Sequence, residues 1–76
     1  MDQKETIEFA VEEAIADCRA NSPAAPSEQV DVVVDMAATN FNSFVEENSI
    51  QTDIDSRSVL EVKLEVETER QLDRGN

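Results

Sequence analysis

Apolar residues recur at helical spacing through the first half of the chain and at alternate positions towards its end. Ile7, Ala10, Val11, Ala14, Ile15 and Cys18 are set three or four apart, which predicts an amphipathic helix over residues 3–20. Glu5, Glu8, Glu12, Glu13 and Asp17 take its other faces, and Phe9 stands opposite the apolar stripe. The segment from Asn21 to Pro26 ends this helix, because a proline lacks an N–H and biases the residue before it away from the α region. Ser27 then reads as an N-cap for a second helix over residues 28–47, on which Val30, Val33, Val34, Ala37, Phe41, Phe44 and Val45 share an arc of about 120°. Val32 and Met36 lie beside the polar face of that helix, outside the main stripe.

Beyond residue 48 the period changes. Leu60, Val62, Leu64 and Val66 alternate with Glu61, Lys63, Glu65 and Glu67, which is the pattern of a half-buried strand. A helix opened by the capping-box pattern Ser58-Val59-Leu60-Glu61 is the alternative, but it would split those apolar residues between two faces. Ile50, Thr52 and Ile54 also alternate, so Asp55-Ser56-Arg57-Ser58 reads as the turn of a hairpin. The expected fold is α+β: two amphipathic helices packed on a small antiparallel β-hairpin in α-α-β-β order. It forms one acidic domain over residues 1–67, with a frayed or short helical tail over 68–76. A two-stranded sheet is marginal alone and leaves an open edge, which a dimer mate or a partner's strand would pair.

Composition narrows the chemistry. The chain of 76 residues has no histidine, one cysteine and one glycine. Histidine-based nucleophile systems, histidine-containing zinc sites and an internal disulfide are therefore excluded. A glycine-rich phosphate loop is excluded as well, since Gly75 stands one residue from the end. The segment from Asp53 starts like a calcium loop, but Ser58 takes the place of the required glycine and Leu64 that of the bidentate glutamate. No enzyme activity, metal or other cofactor is expected. No stretch nears the roughly 18 apolar residues of a membrane span, and Cys18 has no neighbouring cationic cluster in sequence. The expectation is a soluble, cytoplasmic protein with Cys18 as a small reduced core residue.

Charge is the one feature above background: 18 acidic residues against 6 basic ones leave a net charge of −12. Residues four apart on a helix rise about 6 Å, and residues two apart on a strand about 6.5–7 Å, so carboxylates in such rows imitate successive phosphates. Glu8 and Glu12 on the first helix, Asp31 and Asp35 on the second, and Glu61 and Glu65 on the strand form candidate rows, with Phe9 and Met36 as apolar anchors. The expected partner is a basic nucleic-acid-binding protein, whose Lys and Arg would accept the rows in place of a phosphate backbone. Direct binding to nucleic acid or an anionic membrane is not expected, and the marginal core points to a homodimer. In size and acidity the chain is similar in style to the small inhibitors that bacteriophages deploy against host defence nucleases, a likeness of type that involves no particular residue. The alternative is a dimeric regulatory module or subunit that recruits a partner by strand addition along 59–67, its acidity serving solubility alone.

Overall fold

The structure, a computed structural model, describes residues 1–74 and consists of three long helices around one core. Helix α1 spans Gln3–Asn21, α2 Val30–Asn48 and α3 Arg57–Arg74, with a single 3₁₀ turn at Pro26–Glu28. Among the described residues there is no strand. The first two helices lie where periodicity puts them. The α+β expectation fails in the last third, where the expected hairpin is replaced by a loop and a helix.

The reason lies in the alternation itself. Residues two apart on a helix are about 200° apart, so a two-residue alternation also describes two four-residue series on opposite helix faces. Leu60, Leu64 and Thr68 form the inner series and are buried, whereas Val62 and Val66 are 63% and 61% exposed. The split between two faces that argued against a helix is what the molecule adopts. Two helices alone leave the stripes of α1 and α2 open on one side, and Leu60 and Leu64 close them. Ser56 starts α3 by accepting the Val59 N–H on its Oγ at 3.3 Å and the Leu60 N–H on its carbonyl at 3.2 Å. It is therefore a helix cap and not a hairpin turn. The expected first strand, Ile50 to Ile54, is irregular, although Ile54 packs on the core. Residues 68–74 continue α3, and 75–76 of the expected tail lie outside the described residues.

Helix ends account for much of the rest. Asp2 caps α1 in a reciprocal box: the Glu5 N–H donates to Asp2 Oδ1 at 2.8 Å, and the Asp2 N–H donates to Glu5 Oε1 at 3.3 Å. Ser27 lies inside the 3₁₀ turn and does not cap α2. Gln29 holds that position, and its side chain turns back instead, donating to Ser22 Oγ (2.8 Å), Ala24 O (2.9 Å) and Cys18 Sγ (3.1 Å). The α1–α2 connection is thus pinned by one amide. Helix α2 ends at Ser49, whose φ of 51° is left-handed, while the Ile50 N–H donates to Val45 O at 3.2 Å.

The core contains the expected stripes, with Ala10, Val11, Ala14, Ile15 and Cys18 meeting Val33, Val34, Ala37, Ala38 and Phe41. Two buried threonines join it. Thr6 and Thr68 are fully buried, and each hydroxyl donates to the carbonyl four residues back, Asp2 O and Leu64 O, both at 2.7 Å. That back-bond satisfies a polar group which would otherwise be costly to bury. Asn40 Nδ2 donates to Ala10 O (3.3 Å) and Gln71 Nε2 to Glu8 O (3.0 Å) across the bundle, and α3 runs parallel to α1, its residues 62–67 lying against 3–8 and its residues 71–74 against 12–19.

Candidate functional site

The grooves that α3 forms with α2 and with α1 differ in chemistry. Between α2 and α3 runs a groove of about 480 Å³ lined by Asp31, Val32, Val34, Asp35, Met36, Glu61 and Glu65. Asp31 and Asp35 are one turn apart on α2, and Glu61 and Glu65 one turn apart on α3, so each wall carries two carboxylates about 6 Å apart along its helix. Val34 is a buried part of the floor, Met36 is half-buried against the core, and Val32 is 43% exposed. Apolar surface therefore sits between two acidic walls.

One cation enters this arrangement. Arg57 donates from its η2 nitrogen to Asp35 Oδ1 at 2.8 Å and from Nε to Glu61 Oε1 at 3.0 Å, tying one wall to the other at the start of α3. These groups are about half exposed or more, so each pair adds only about 0–1 kcal/mol and chiefly holds the walls in position. Asp31 and Glu65 have no ion-pair partner among the described residues. They are the unneutralised end of the groove.

The remaining expected site residues lie elsewhere. Glu8 faces α3 on the other side of the bundle, where it meets Arg70 at 3.2 Å, and Arg70 also holds Glu67 at 2.6 Å. Burial pushes the Glu67 carboxyl up, but hydrogen bonds from Arg70 and Gln71 and the charges of Arg70 and Arg74 outweigh it and hold the group below the usual glutamate value. Glu12 borders a separate depression with Arg19 and Arg74. Phe9, 44% exposed, sets its ring edge-on to Phe44 at a centroid distance of 5.6 Å, between α1 and α2. Five of the eight expected residues, Asp31, Asp35, Glu61, Glu65 and Met36, converge on one groove, while Glu8, Glu12 and Phe9 do not. The row of glutamates expected along a strand is divided, with Glu61 and Glu65 on the α2 side and Glu67 on the α1 side.

Sequence reading missed Val32 as a groove residue and Arg57 as its bridge. A helical wheel for residues 57–74 would have found Arg57, because it places Glu61 and Glu65 on one flank with Arg57 a turn before them; Val32, beside the polar face of α2, needed the packing of α3 to become a groove residue. No group of three or more His, Cys, Asp or Glu side chains among the described residues is gathered as a metal site, and no helix is long and apolar enough to cross a membrane. Comparisons of this chain with protein-family models, with curated proteins and with solved structures find no match.

Proposed function

We propose that this chain is a non-catalytic inhibitor that occupies a basic, nucleic-acid-binding surface of another protein, presenting the α2–α3 groove to it. The observation that carries this reading is the convergence of Asp31, Asp35, Glu61 and Glu65 on two facing walls around an apolar floor. Two rows of anions on a rigid frame are the pattern that a Lys- and Arg-lined nucleic-acid site is built to receive. The net charge of −12 raises the encounter rate with such a surface, most strongly at low salt. Val32 and Met36 add the desolvated contact that charge alone lacks. The mechanism is competition, in which the inhibitor and the nucleic acid claim the same cations. Recruitment by strand addition along 59–67 does not survive the fold, since those residues lie within α3.

The test is affinity capture from the native host's lysate, repeated with duplex DNA in the wash and with the double reversal Asp31→Lys/Glu65→Lys. The expected result is a nucleic-acid-binding protein that DNA displaces and that the reversed variant binds about a hundredfold or more weakly. A partner retained through both treatments would refute the reading and leave the acidity to solubility.

A further inference from the structure

The outer face of α3 carries three exposed valines, Val59, Val62 and Val66, at 42%, 63% and 61% exposure. Their spacing of three and four is that of a heptad seam. The stripe continues into the α1–α3 groove, a space of about 320 Å³ lined by Ile7, Val62 and Val66 among others. Its two flanks have opposite charge. Among the described residues, Lys63 is the unpaired charge towards α1, since Arg70 is held by Glu67 and Glu8; towards α2 it is Glu65, since Glu61 is held by Arg57. Lys4 and Lys63, the chain's two lysines, both line the α1–α3 groove and make no ion pair among the described residues, in a chain with 18 acids.

We propose that this stripe is a self-association face, packing on the same stripe of a second copy with the two α3 helices parallel about a twofold axis. A twofold axis along the helices sets the basic flank of one copy against the acidic flank of the other on both sides of the seam. With the helices in register, Lys63 stands about 3 Å along the axis from Glu65 of the second copy. An antiparallel pairing would oppose Lys63 to Lys63 and the glutamates to each other, so the charge pattern selects the parallel one. The seam ends at Glu69, which limits the contact to two turns and makes the dimer weak and concentration-dependent. The valine stripe lies outside the α2–α3 groove, but its acidic flank includes Glu65 of that groove's α3 wall, so the two surfaces share one side chain.

Sedimentation equilibrium in 0.15 M salt, from 10 to 500 µM, reads the assembly directly. The expected result is a mass rising from 8.4 kDa towards twice that value. Val62→Asp/Val66→Asp should remain monomeric with an unchanged helical circular dichroism spectrum, since both side chains are already mostly exposed. A Val59→Cys variant reports orientation: a parallel seam brings the two cysteines together, so mild oxidation should give a disulfide dimer, while buried Cys18 does not compete. A wild-type chain that stays at 8.4 kDa throughout overturns the proposal, as does a dimer that the double aspartate variant leaves intact. A dimer in which the Val59→Cys variant does not cross-link overturns the parallel arrangement.

Discussion

Replacing Leu64 and Val66 one at a time by alanine separates the helix from the strand that their alternation suggests. On a strand the two side chains share a face, and their truncations would cost similar amounts. On α3 they do not: Leu64 is fully buried, and Val66 is 61% exposed. Truncating Leu64 removes core contacts and leaves a cavity between all three helices, a loss of about 3 kcal/mol. Truncating Val66 removes two methyl groups that are less than half shielded, about 0.6 kcal/mol of transfer free energy, and alanine returns a similar amount through its better helix propensity. The net effect at Val66 is close to zero. A chain of 76 residues has about 4–11 kcal/mol of total stability, so the Leu64 loss is a large fraction of it. Urea titration followed at 222 nm reads both variants. With an m-value of about 1 kcal/mol/M, the Leu64→Ala midpoint should fall by about 3 M while that of Val66→Ala barely moves. Equal losses at the two positions, or a larger one at Val66, would refute the assignment of faces.

Other consequences follow from the helix ends and the polar links. Ser49→Gly should stabilise the chain by about 0.5–1 kcal/mol in the same titration, because the left-handed φ of 51° costs serine what glycine does not pay. Gln29→Ala strips three acceptors at the α1–α2 turn of their shared donor and should cost about 1–2 kcal/mol, with thermal unfolding as the check. For Glu67 the folded-state pKa lies below its ordinary value, so its contribution is complete above the usual glutamate range and is lost as pH falls through the lowered one. The stability difference between wild type and Glu67→Gln should accordingly be constant near neutrality and shrink below about pH 4.5, measured by urea titration across pH. A difference that grows on acidification would contradict the sign.

Sequence by itself determined α1 and α2, their bounds to within about two residues, and their buried stripes, because six or seven apolar positions at helical spacing admit no other element. It also determined the net charge of −12 and a composition without histidine. It did not determine α3. Over eight residues a two-residue alternation is common to a one-faced strand and a two-faced helix, and the deciding residue, Thr68, does not register as apolar until its hydroxyl is seen bonded to Leu64 O. Tertiary structure made that choice, since the open side of the α1–α2 pair needs a third apolar series four residues in period, which Leu60, Leu64 and Thr68 supply. The candidate site follows the same division. The acids were legible as acids, but which of them share a surface depends on how α2 and α3 pack. That packing gathers Asp31, Asp35, Glu61 and Glu65, and it sends Glu8 to Arg70 and Phe9 to Phe44. Periodicity along one helix specifies a face; the neighbour that face meets is decided by all three helices together.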